Sequence, residues 1–320
     1  MSRLIMKLAL SASVITLTLG SAGTAWAADK LKVVASFSII GDFAKNVGGD
    51  RVDIVTLVGP DGDAHVYEPK PADAVAVGAA DVVLVNGLQF EGFLNRLVEA
   101  SGTKAPVVEL TKGAAILKTA EAEHAHDGEA AKEEAHGEEH HHHGEFDPHA
   151  WQSVSNAEIY VKNIADAFCT ADAAGCDTYK ANASAYSAKL VALDAEIKTA
   201  VAAIPESKRT IITSHDAFGY FEHEYGMKFL APEGVSTDAE ASAADVAALI
   251  KQVREDNASA IFVENITNPR LIEQIAGETG LKIGGVLHSD ALSDAAGTAP
   301  TYIDMMRHNI ITIKGAIDQS

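Results

Sequence analysis

Four loop positions of this chain carry side chains able to hold a metal ion. His65 follows the turn signal Gly59-Pro60-Asp61-Gly62-Asp63, and His149 stands in DPHAW, ahead of a helical stretch. His215 comes directly after the apolar run TIIT, and Asp290 lies just beyond the run 282–287. Three imidazole nitrogens and one carboxylate oxygen form a tetrahedral-capable set that suits Zn²⁺, with bonds of about 2.0–2.2 Å. A single loop histidine is ordinarily a surface or capping residue, so the inference rests on the joint placement of the four. His288 competes with Asp290 for the fourth position. Asp290 is preferred because a carboxylate offsets half of the metal charge, whereas a fourth imidazole would leave a full dication. His223, in FGYFEHEYG, and His308, in the last helical stretch, are read as structural.

The same set with an open fourth position would suit an exported zinc hydrolase, with metal-bound water as nucleophile. Against that alternative, the sequence has no HExxH helix, and Glu68, the nearest base to His65, matches no known catalytic spacing. Asp290 also closes the position that a water would need. Capture of a metal without catalysis is the expected activity.

Eight of the thirteen histidines fall within residues 121–151. Histidine is neither a strong helix former nor a core residue, so packing does not explain this density. His124, His126, His136, His140, His141, His142 and His143 alternate with Asp and Glu in low-complexity sequence, the composition of weak accessory metal sites on a flexible loop, 121–145. Residues 146–151 differ: Phe146, Pro148 and Trp151 around His149 read as an ordered element.

The elements that must position these side chains follow a βα rhythm. Apolar runs at 31–37, 52–57, 82–86 and 107–110 are expected as buried strands, with helices over 39–47, 71–79 and 90–101. After the histidine-rich segment a helix covers 153–168, with Ser155 or Asn156 as N-cap. Residues 178–203 then form the longest helical stretch, roughly 39 Å at 1.5 Å per residue. The βα pattern restarts with strands at 210–213, 227–231, 260–264 and 282–287, with a terminal helix over 302–317. The expected fold is α/β, with two lobes, each a parallel-rich sheet with flanking helices, joined by one long rigid helix. The units are 28–176 for the first lobe, 177–204 for the linking helix and 205–320 for the second lobe. Ligands in such sheets collect beyond the carboxyl ends of the strands, so a cleft between the lobes would gather the four residues.

Residues 1–27 read as a secretory leader: Arg3 and Lys7, an apolar run, and an Ala25-Trp26-Ala27 cleavage site. The expected product is exported and soluble in the periplasm. It has no lipid anchor, because no cysteine lies near the cleavage site. Losing Arg3 and Lys7 moves the formal charge from −20 to −22, which excludes nucleic acid and anionic membrane as natural partners. The two cysteines, Cys169 and Cys176, lie seven apart and are expected to form a disulfide in an oxidising compartment. A soft-metal pair is the alternative, but it lacks further thiols.

The segments DAHVYEP around His65, DPHAW around His149, TSHDAFGYF around His215 and SDAL around Asp290 resemble, in order, the metal-binding segments of periplasmic solute-binding proteins serving zinc and manganese ABC importers. The resemblance covers essentially the whole chain after residue 27. Manganese binders of that family carry Glu at the position of His215, so an imidazole there, with a histidine-rich insertion before DPH, marks the zinc branch. A third nitrogen donor also favours Zn²⁺ over Mn²⁺ physically. Within the branch the chain is most similar to the AztC-type receptors, which use Asp as fourth ligand and carry a short-spaced cysteine pair. It departs from the ZnuA pattern, in which the cysteines lie in the second lobe. The resemblance implies delivery of Zn²⁺ to a membrane permease and loading by a separate periplasmic metallochaperone; a monomer is expected. A manganese or iron receptor of the same fold is the alternative.

Overall fold

A computed structural model describes residues 29–119 and 144–319. The leader 1–27 and the histidines 124, 126, 136 and 140–143 lie outside the described residues.

The first lobe holds a four-stranded sheet of β1 (Leu31–Phe37), β2 (Val52–Val58), β3 (Val82–Val85) and β4 (Val107–Glu109). Its order is β2-β1-β3-β4 and every pairing is parallel. A parallel sheet is covered on both faces, which is why β1 and β3 are nearly continuous apolar runs. Between the strands run α1 (Ser38–Gly48), α2 (Pro71–Gly78) and α3 (Leu94–Ser101), and α4 (Val154–Ala171) packs across them. The second lobe repeats the plan with β5 (Thr210–Ile212), β6 (Lys228–Leu230), β7 (Ala260–Glu264) and β8 (Ile283–Leu287), ordered β6-β5-β7-β8 and again all parallel.

Between the lobes lies α5 (Cys176–Ala202), 27 residues long. It buries Tyr179, Ala183, Tyr186, Leu190, Leu193, Ile197 and Val201, a stripe at helical spacing along its whole length. That stripe packs on α1 and α4 of the first lobe and on α6 (Gly219–Tyr225) and α9 (Tyr302–Ile317) of the second. One apolar core consequently runs from Leu31 through α5 to Ile317. A second, smaller core sits on the outer face of the second sheet, under α7 (Ala243–Glu255) and α8 (Arg270–Thr279). The Cys169–Cys176 disulfide is formed and closes the turn between α4 and α5. No described helix is long and apolar enough to cross a membrane.

Two local expectations are corrected. The N-cap of α4 is Ser153, whose hydroxyl accepts from the Asn156 amide, rather than Ser155 or Asn156. Asn156 is instead held by the backbone of Ala115, through both its oxygen and its amide nitrogen. Helix α3 starts at Leu94 rather than near residue 90: Gly87, Leu88 and Gln89 have φ values of 88°, 54° and 64°, and the Glu91 carboxylate folds back onto the Asn86 and Gly87 amides, so the turn runs on through residue 93.

Candidate metal centre

Each of the four side chains leaves a strand end or a turn, and each has a partner that fixes it. In the turn after β2, Asp63 Oδ1 accepts the His65 amide at 2.9 Å, an Asx-type turn. The other oxygen of Asp63 accepts the Thr237 hydroxyl of the second lobe at 2.6 Å. The same spacing recurs before α4, where Asp147 Oδ1 accepts the His149 amide at 2.9 Å and lies 2.8 Å from His149 Nδ1. After β5, Glu264 at the end of β7 accepts the amides of Ser214 and His215 through one oxygen, at 2.7 and 2.9 Å. Its other oxygen lies 2.7 Å from His215 Nδ1, a short but oblique approach that makes an ion-pair contact rather than an aligned hydrogen bond. Asp290 follows β8, and the carbonyl of its neighbour Ser289 accepts from Trp151 Nε1 (3.0 Å) and Gln152 Nε2 (2.7 Å).

These supports converge the side chains. Asp290 Oδ2 lies 3.1 Å from His65 Nε2 and 3.2 Å from His215 Nε2, and Asp290 Oδ1 lies 3.7 Å from His149 Nε2. One donor atom from each residue falls within 4.8 Å of every other. Ligands at about 2.05 Å from a tetrahedral zinc would stand about 3.3 Å apart, so little adjustment is needed. His149, His215 and Asp290 are fully buried, and His65 keeps 4% of its side-chain surface. The rings of Phe90 and Trp151 close in on His149, and Phe90 stands edge-on to His65 at 4.7 Å.

The electrostatics call for a positive charge at the centre. Asp147 engages Nδ1 of His149, which fixes the N–H there and leaves a lone pair on Nε2 facing the Asp290 carboxylate. His149 Nε2 and Asp290 Oδ1 are both buried without a hydrogen-bond partner, a costly state unless a cation lies between them. Without metal, a proton takes that role. Burial lowers the pKa of His149, but Asp290 and Asp147 outweigh it and raise it to about 9. His215 is likewise penalised by burial, yet Glu264 and Asp290 hold it well above the usual imidazole range. Burial wins at His65, which is lowered. Burial would raise Asp290, but the two cationic rings of His149 and His215 hold it well below the ordinary carboxylate value.

The other described histidines stand apart. His288 is buried with its amide on Asn309 and its Nε2 3.2 Å from the Thr298 hydroxyl, so Asp290 alone of the two rivals reaches the centre. His308 Nε2 contacts the Val286 carbonyl, and His223 is exposed on α6. Asp63, Asp147 and Glu264 went unrecognised as supports from sequence. The repeated Asp-x-His of 63–65 and 147–149 was a usable signal, as was a charged residue ending the central run AIFVE.

Two parallel α/β lobes meeting over a buried His₃Asp cluster define a metal-binding solute receptor. Residues 33–316 match the family model described as zinc-uptake complex component A, periplasmic (ZnuA), and the chain belongs to that family. It is 34% identical over 297 residues to the manganese-binding lipoprotein MntA of Halalkalibacterium halodurans, covering 93% of this chain and 92% of the relative. Identity to the iron-binding protein YfeA of Yersinia pestis is 33% over 292 residues, covering 91% and 88%. Among solved structures, the periplasmic zinc-binding protein TroA of Treponema pallidum superposes with a TM-score of 0.80 at 30% identity, covering 90% of this chain and 99% of that one. The protein is thus an extracytoplasmic metal-binding receptor of an ABC importer, serving a membrane permease, and is not an enzyme. The hydrolase alternative is set aside. Because MntA is a lipoprotein, the family lends no support to the expected lack of an anchor.

Proposed function

We propose that this receptor is specific for zinc, holding one Zn²⁺ by His65, His149, His215 and Asp290 and releasing it to the permease. The observation that carries the reading is the donor set: three buried imidazole nitrogens around one carboxylate. Nitrogen-rich sites of low coordination number favour Zn²⁺ over Mn²⁺, which prefers more oxygen ligands. The histidines 124, 126, 136 and 140–143 would collect further zinc weakly. The AztC-like features, Asp290 as fourth ligand and the Cys169–Cys176 pair, support loading by a periplasmic metallochaperone.

The relatives named for manganese and iron favour a second reading, in which the same site carries one of those metals. Zn²⁺ out-binds Mn²⁺ and Fe²⁺ at almost any such site, so equilibrium displacement does not separate the readings. Metal analysis of the protein recovered from its native compartment, with all three metals supplied, does. Zinc is expected there, and manganese or iron as the bound metal would overturn the reading.

A further inference from the structure

A cavity of about 470 Å³ opens beside the centre, walled by the turn that follows β3, by residues 144–148 and by the segment that follows β6. His65, Leu88, Gln89, Gly92, Ser236 and Asp238 are among its walls. Of the four ligands only His65 borders it, and His65 is also the only one with side-chain surface left to solvent. The other sides are closed. His149 is backed by Asp147 and Trp151, His215 by Glu264, and Asp290 by a segment pinned through Trp151 and Gln152.

The inner wall is firmly built. Gly87, Leu88 and Gln89 hold three consecutive positive φ angles, a backbone that leucine and glutamine rarely adopt. The buried Glu91 carboxylate fastens this turn by accepting from Ser36 Oγ (2.7 Å) and from the amides of Asn86 (2.6 Å) and Gly87 (3.3 Å). Between them, Phe90 is set against His65 and His149. At roughly 30 Å³ per water the cavity has room for about fifteen waters, enough for a hydrated dication and part of a small chelator. Asp238 adds a negative charge at its wall, which favours cations in the approach.

We propose that this cavity is the exchange vestibule of the receptor: metal meets His65 first and leaves it last, the four ligands setting affinity and the vestibule walls setting the rate. The proposal rests on the metal-receptor reading above. Gly92 offers the direct test, because a Cβ added there meets only the His65 carbonyl, at 4.0 Å. Gly92→Trp would fill the vestibule and leave the ligands in place, and Ser236→Phe does so from the opposite wall. Gly315→Trp, which fills a separate groove beside α9, is the control.

Zinc association and chelator-driven zinc release are followed by stopped flow on the full chain. Both vestibule variants should slow the two rates by about tenfold or more while the Kd stays within about twofold, and the control should exchange like the parent. A folded Gly92→Trp or Ser236→Phe that exchanges zinc at parental rates overturns the vestibule. So does a Kd changed by clearly more than twofold, which means the two rates did not slow together. If the parent itself fails to bind zinc tightly, the receptor reading fails first, and that outcome is separate from either of these.

Discussion

Lone pairs on His149 Nε2 and Asp290 Oδ1 point into one buried volume, and only a proton or a metal cation can sit between them. In the metal-free protein the proton wins, with His149 raised to about 9 by Asp290 and Asp147 against the penalty of burial. Metal must displace that proton, so the apparent zinc affinity should fall as pH drops from 8 to 6, by about tenfold per unit for each proton displaced. Equal affinity by titration at both ends would contradict an imidazole-built site. The sign for folding is opposite. A histidine with a raised pKa stabilises the metal-free fold fully below its unfolded value, near 6.5, and that contribution is lost as pH rises through about 9. Metal-free protein should therefore melt lower at pH 10 than at pH 7. Asp147 and Glu264 act through the rings they hold, so Asp147→Asn or Glu264→Gln should weaken zinc binding by roughly 10–100-fold. Unchanged affinity in both variants would show that the rings need no such support. That His65, His149, His215 and Asp290 cluster could be read from sequence because each sits in a loop beside the end of a strand or helix. Their supports could not, because nothing in a single Asp or Glu distinguishes one aimed at an imidazole from one aimed at water.

At the scale of elements, the βα rhythm was legible because parallel strands buried on both faces are apolar without interruption, as β1 and β3 are. The turn after β3 was not, since only Gly87 of its three left-handed residues advertises that backbone. Ser153, Ser155 and Asn156 are all competent caps; Asn156 is committed to Ala115 and the Ser155 hydroxyl to Ser153 and Glu224, which leaves Ser153. The turn between α4 and α5 is tied by Cys169–Cys176 and by Asp172, which accepts from Arg51 and Tyr179. A loop this short is worth about 2 kcal/mol when closed by a disulfide. Replacing both cysteines by serine should lower the Tm of the metal-free protein while leaving zinc affinity unchanged, because the turn contacts none of the four ligands. A loss of zinc affinity would instead mark the pair as part of the binding machinery.

For the molecule as a whole, helical periodicity shows that α5 has a buried stripe but not what buries it. That stripe joins both lobes in one core, so the stiff connector expected from sequence also holds the seam where the ligands meet. The centre should then be complete without the histidine-rich tract. Zinc titration against a competing chelator, run on the full chain, on a chain lacking residues 121–145, and on that shortened chain carrying His149→Ala, tests this most directly. One tight zinc should remain in the shortened chain, while the weaker ions bound by the full chain disappear. His149→Ala should then weaken the remaining site by more than the roughly 10–100-fold that losing a supporting carboxylate costs. A shortened chain without a tight site, or a His149→Ala variant that binds zinc like its parent, would contradict a centre built from His65, His149, His215 and Asp290.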